Sequence, residues 1–200
     1  NGFAGHFGIS KKIKEAILQL NKSELKVVDS CTVNGIPFVN VSGIGFDAHV
    51  ANLFDRLKER GFINYVKLIL RELTYKPQEY TLKYNESIMK VSAYLIAFAN
   101  ASQYGNNARI SPMANIQNEL LDFVIVKGFP KWRIPLFLLK VARGKTHLSK
   151  YVEIIQCQKM QISAKNTLLH LDGEPLISDN PVEIKVMPKS LKILMPNGKE

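Results

Sequence analysis

Short turn signals set between β-prone runs constrain this chain more than any other feature. Asn34-Gly35 separates "LKVVDSCTV" from "IPFVNV", and both turn residues tolerate the positive φ of a two-residue hairpin. Asn85-Glu86 separates "QEYTLKY" from the long apolar run "SIMKVSAYLIAFAN" in the same way. Val182, Ile184 and Val186 alternate with Glu183 and Lys185, the period of a strand with one buried face. "ELLDFVIVKG", "YVEIIQCQKMQISA", "TLLHLDGEPL" and "SLKILMP" add further strand-like runs. Neighbouring strands joined by short turns pair antiparallel. The expected class is α+β: mainly an antiparallel β-sandwich-like domain with inserted helices.

The insertions carry helical spacing. Ile13, Ala16, Ile17 and Leu20 share one face, with Ser10 as the expected N-cap. "FDAHVANLFDRLKERG" predicts a helix that stops at Gly61, and "FINYVKLILRELTYK" one that ends before Pro77. "FPKWRIPLFLLKVARG" predicts a helix entered at Pro130 or Pro135 and ended by Gly144.

Composition narrows the partners. A hydrophobic share of 46% and a charged share of 22% are those of a globular protein. No apolar run reaches the roughly 18 residues of a membrane span, and the start has no signal-peptide core. Cys31 and Cys157 stand apart, without metal-ligand spacing, and read as buried thiols of a cytosolic protein. The net charge of +10 favours anionic partners or, read plainly, keeps the chain soluble. Nucleic acid is not expected, since no basic-aromatic stacking pattern is present.

Four stretches carry candidate chemistry. "NGFAGHFGIS" is a glycine-rich start ahead of a helix, suited to phosphate or simply a loose tail. "NVSGIGFDA" runs a strand through Gly43 and Gly45 into a helix with Asp47 in its first turn, a corner that permits close backbone approach but lacks the lysine and spacing of a Walker A loop, or is purely structural. Asn100 to Asn118 is a long polar loop with Tyr104, Gly105 and Arg109, where the arginine pairs an anion or is merely solvated. "LDGEP" places Asp172 and Glu174 around Gly173, either a hairpin turn or a general base with a supporting acid.

Taken in order, these stretches resemble the catalytic region of the diacylglycerol kinase and sphingosine kinase-like lipid kinases, in their bacterial soluble branch. Asn1-Gly2-Phe3-Ala4 is similar to the end of the family's nucleotide motif. Asn40, Gly43, Gly45, Asp47 and Ala48 match its N-x-x-x-G-x-G-x-D-A element. Asn100, Tyr104, Gly105, Ile110, Pro112 and Ala114 follow its loop motif, with the glycine triplet reduced to Gly105-Asn106-Asn107. Asp172-Gly173-Glu174 matches its D-G-E.

The resemblance implies ATP-dependent phosphorylation of a lipid hydroxyl, with Asp172 as general base and Glu174 in support. It assigns Asn1, Gly2 and Glu174 to the nucleotide, and Asn40, Gly43, Gly45, Asp47, Tyr104 and Arg109 to the lipid substrate. ATP and Mg²⁺ would be held mainly by an upstream ATP-binding domain. Residues 1–24 would be the tail of that domain with a connecting helix, and 25–200 the C-terminal β-rich domain. The resemblance also implies a structural Mg²⁺ near Asn115, Asn118 and the Leu120 backbone, a weak set because Asn118 stands where the family has an acid. It implies a cytoplasmic protein peripherally bound to an anionic membrane, with a homodimer left open. Two alternatives are kept: a non-catalytic lipid-binding or regulatory module of the same fold, and an NAD kinase-like enzyme.

Overall fold

The computed structural model describes residues 2–57, 62–72 and 74–196. Helices α1 (Gly2–His6) and α2 (Ile13–Leu20) precede β1 (Ser23–Val33), β2 (Ile36–Phe38) and β3 (Val41–Gly45). Helices α3 (Phe46–Asp55) and α4 (Phe62–Arg71) follow, then β4 (Gln78–Tyr84), β5 (Ser87–Ala99) and β6 (Leu121–Lys127). A 3₁₀ turn (Lys131–Arg133) leads into α5 (Ile134–Ala142), and a second (Thr146–Leu148) leads out. The chain ends in β7 (Val152–Cys157), β8 (Lys159–Ala164), β9 (Leu168–Leu171), β10 (Glu174–Ile177) and β11 (Val182–Pro196).

The described strands form one curled sheet in the order β10-β9-β3-β5-β4-β8-β11-β1-β2, with β6 on β5 and β7 on β6. Every pairing is antiparallel. Both expected hairpin turns form. Asn34 and Gly35 have φ of 46° and 85°, and Asn85 and Glu86 of 43° and 64°. Asp172 and Gly173, at 51° and 101°, make a third two-residue turn between β9 and β10. Primed turns of this kind match the twist of the strands they join.

The long β5 positions the site. Its first half pairs with β4 and its second half with β3 and β6, and the register shifts between Ala93 and Leu95. Strands that change partners at a bulge build the corners of a sandwich. In the second half both faces are covered. Ile96 and Phe98 enter the main core with Tyr80, Phe123 and Met160. Leu95, Ala97 and Ala99 face the other way, into a smaller cluster with Val41, Val124 and Val126 beneath α3 and α5. Two covered faces explain why this part of β5 is a continuous apolar run.

Three boundaries differ from expectation. The serine at position 10 does not cap α2. Its hydroxyl accepts the Lys12 N–H at 3.1 Å, a local turn that competes with capping, and the helix starts at Ile13. "PVEIKVMP" and "SLKILMP" form one strand, β11, bent at Lys189, whose φ is 51°. Helix α3 ends at Asp55, with Arg56 as its C-cap, short of the stop expected at Gly61, which itself lies outside the described residues.

Gly45 makes the corner from β3 into α3. Its φ is 108°, and an added Cβ would lie 2.6 Å from the Tyr94 carbonyl oxygen. Gly35 also has positive φ but open space around it. Gly45→Ala is therefore expected to cost more than the ~1–2 kcal/mol of left-handed strain alone that Gly35→Ala incurs. Equal melting temperatures for the two variants would show that the Gly45 corner has room.

Candidate functional site

The site grows from the β3–α3 corner. Asp47 is 7% exposed, in the first turn of α3. One carboxylate oxygen accepts the Ala48 N–H at 2.9 Å, and the other accepts the Tyr104 hydroxyl at 2.9 Å. His170 Nε2 lies 3.2 Å from that second oxygen. On its other side His170 Nδ1 faces the Gly173 N–H at 3.2 Å. A backbone N–H can only donate, so Nδ1 accepts and Nε2–H donates to Asp47. Asp47 thus ties α3, the loop after β5 and the β9–β10 turn to one carboxylate.

That turn carries Asp172. Its Oδ2 accepts the Val39 N–H and its Oδ1 the Asn40 N–H, both at 2.9 Å. Its own N–H donates to Ser42 Oγ at 3.2 Å. The carboxylate is held on both oxygens, and each oxygen keeps a lone pair for another donor. Asn40 is buried, and its Oδ1 has no partner among the described residues. Helix α1 closes in behind: a Cβ on Gly2 would fall 2.3 Å from the Tyr104 carbonyl oxygen and 2.6 Å from Asn40 Nδ2.

These groups form the polar end of a cavity of about 560 Å³, within the size range of small-molecule sites. The rest of the wall is mainly apolar, with Glu72, Tyr94 and Asn106 as further polar side chains. Phe46, Val50, Ala51 and Phe54 come from α3, and Ile134, Phe137, Leu138 and Val141 from the α5 side. Leu95 and Val126 contribute from the sheet, and Phe129 from the loop before α5. Tyr75 also lines it, its hydroxyl pushed up to about 12 by burial and by the nearby Asp47 charge. Tyr75 therefore stays a neutral hydroxyl at physiological pH.

The structure brings Asn40, Asp47, Tyr104 and Asp172 together, with Gly2 packed behind them. Gly43 and Gly45 do not line the cavity. A Cβ on Gly43 would sit 2.2 Å from Asp47 Oδ2, so this glycine makes room for the carboxylate. Arg109 is exposed and braces α5: its N–H donates to the Val141 carbonyl and its carbonyl accepts the Thr146 hydroxyl. Glu174 opens the edge strand β10, exposed, across the turn from Asp172. Asn1 lies outside the described residues. Cys31 and Cys157 are buried free thiols; burial pushes Cys157 up to about 11 and Cys31 higher still, so both are poor nucleophiles.

The expected structural Mg²⁺ does not fit the residues present. Asn115 Oδ1 accepts the Gln117 N–H and Asn118 Oδ1 the Leu120 N–H, so both amide oxygens close their own loop. The nearby acid Glu119 pairs with Lys189 at 3.0 Å. Asp29, fully buried, instead pins this loop by accepting the Glu119 and Lys189 N–H groups at 2.8 Å each. Among the described residues no cluster of three His, Cys, Asp or Glu side chains could hold a metal.

Fold and site together define a β-sandwich-like domain with a mainly apolar cavity that the carboxylates Asp47 and Asp172 also line. The model of the YegS C-terminal NAD kinase beta sandwich-like domain matches residues 40–195, and the chain belongs to that family of lipid kinase-related domains. A "probable lipid kinase YegS-like" protein of Chromohalobacter salexigens is 27% identical over 99% of this chain. A "putative lipid kinase" of Staphylococcus carnosus is 24% identical over 97% of it. The chain spans 65% of the length of each. In fold it is similar to the crystal structure of a putative diacylglycerol kinase from Bacillus anthracis: TM-score 0.75, 19% identity, 98% of this chain and 65% of that one.

His6 ties α1 to the loop behind the site, its Nδ1 accepting the Ser102 N–H at 3.2 Å. Burial lowers its pKa below the ordinary histidine value of 6.5. The unfolded chain then binds the proton more readily, so this contribution to stability is complete above pH 6.5 and is lost as pH falls through the lower folded value. In melts taken from neutral pH down to about pH 5, His6→Gln is expected to lose less stability than the unaltered chain. Parallel losses would remove His6 as a source of acid sensitivity.

Proposed function

We propose that this chain is the acceptor-binding part of an ATP-dependent lipid kinase that phosphorylates the hydroxyl of a diacylglycerol-like lipid. The observation that carries this reading is the cavity: a long apolar wall that ends at a carboxylate, Asp172, fixed by two peptide N–H groups. An acyl chain fits the wall, and a hydroxyl fits the polar end. The names of the relatives in Chromohalobacter and Staphylococcus support the same reaction class. The apolar lining disfavours the NAD kinase-like alternative, whose acceptor is a charged dinucleotide.

In this reading the acceptor hydroxyl donates to Asp172, which takes the proton as the oxygen forms its bond to phosphorus. ATP is the second substrate; it supplies the γ-phosphoryl group and leaves as ADP, held with its Mg²⁺ mainly by an ATP-binding domain upstream of these residues. Glu174, solvent-facing across the turn, meets the nucleotide side. Asp47, Tyr104 and the open Asn40 Oδ1 accept or donate to the lipid's polar groups. His170, which also lines the cavity, positions the turn through Gly173. The protein works from the cytoplasm at a membrane surface; among the described residues no helix is long and apolar enough to cross one.

In the protein that carries its ATP-binding domain, Asp172→Asn is expected to lower lipid phosphorylation by roughly 10²–10⁴-fold, the usual worth of a general base. Stability should fall by only about 1 kcal/mol, since one N–H···O contact is lost. The 200-residue chain alone should show no turnover. An active Asp172→Asn enzyme would remove the base assignment. Lipid binding without phosphorylation by the intact protein would leave a binding module in its place.

A further inference from the structure

Helix α5 is apolar on two sides. Its inner side, with Phe137, Leu138 and Val141, lines the cavity. Its outer side and the flanking 3₁₀ turns are uncovered: Trp132 before it is 72% exposed, Leu136 52% and Leu139 43%, and Leu148 after it 60%. Trp132, Leu136 and Leu139 follow at steps of four and three, one stripe of a helical surface. Lys140 Nζ donates to the Leu148 carbonyl at 2.8 Å and draws that leucine onto the same patch. A helix apolar all round is ordinarily buried, so this outer stripe calls for a covering.

The charges around the stripe select the covering. Lys131, Arg133, Lys140, Arg143, Lys145 and Lys150 lie in the same stretch of sequence, and no acid occurs between Asp122 and Glu153. Among the described residues none of the six is in an ion pair. A second copy seated by twofold symmetry would set the same cations against one another. An anionic bilayer meets both demands: its interface accepts tryptophan and leucine, and its headgroups accept lysine and arginine. Arg133 already lies over the Trp132 ring at 4.5 Å, which places a cation beside the ring at headgroup depth.

We propose that the outer face of the Lys131–Leu148 segment docks on an anionic bilayer, so that α5 stands between the membrane and the cavity. What enters the cavity rests on the lipid kinase reading; the docking itself does not. Trp132 is the only tryptophan of the chain and so reports on its own surroundings. Phosphatidylglycerol vesicles at low salt should shift its fluorescence to the blue, and brominated acyl chains should quench it. Phosphatidylcholine vesicles should do neither, and salt near 1 M, where screening acts within ~3 Å, should release the protein.

Lys131→Glu with Lys140→Glu keeps the reporter and should weaken vesicle binding at least tenfold. An unshifted spectrum with phosphatidylglycerol, or co-sedimentation with vesicles while the spectrum stays fixed, would overturn the proposal. So would a dimer in solution that Leu136→Glu turns into monomer. Docking without lipid phosphorylation by the complete protein would remove the kinase reading alone. Phosphorylation of detergent-dispersed lipid without docking would remove this proposal alone.

Discussion

A single buried carboxylate holds the site together. Asp47 takes the Ala48 N–H, the Tyr104 hydroxyl and the His170 imidazole, and through His170 it reaches the Gly173 N–H. Removing one partner from such a network leaves others unpaired in a low-dielectric setting, which costs more than the contact itself. The glycine at position 43 belongs to this interaction, since any side chain there would occupy the place of the Asp47 oxygen. A second carboxylate repeats the logic next door: Asp172 spans the Val39 and Asn40 N–H groups and joins the β9–β10 turn to the strand entering the corner. Between them the two acids connect segments more than a hundred residues apart in sequence.

The sheet supplies the rest of the geometry. Because the second half of β5 is covered on both faces, one set of its residues builds the main core and the other a smaller cluster, from which Leu95 reaches the cavity wall. Leu95 of the one face and Ile96 of the other thus set cavity wall and main core on two sides of the same strand. The walls come from helices inserted after β3 and β6, and these can vary without disturbing the sheet. In this architecture the carboxylates Asp47 and Asp172 come from the β3–α3 corner and the β9–β10 turn, and the inserted helices supply most of the apolar wall.

Much of the fold is legible in the sequence because turn chemistry is local. Asn34-Gly35, Asn85-Glu86 and Asp172-Gly173 each announce a hairpin, and each forms one. At Asp172 the expected left-handed turn forms, and it also turns the carboxylate toward the Val39 and Asn40 amides. His170 is not legible as a site residue, since a single histidine between Leu169 and Leu171 looks like the polar face of any strand. The cavity is hidden for a similar reason. Phe46, Phe129 and Phe137 have the spacing of ordinary core residues, and only their arrangement leaves space between them. Arg109 reads from sequence as an anion partner, yet its backbone is what the structure uses.

The central claim is that the cavity takes the acyl part of a lipid with its hydroxyl toward Asp172. A diacylglycerol carrying a photoactivated diazirine along one acyl chain tests it most directly. After illumination and peptide mapping, the label is expected on cavity residues such as Phe46, Phe129 and Phe137, and excess unlabelled diacylglycerol should suppress it. Labelling confined to other surfaces, or undiminished by competitor, would contradict the account.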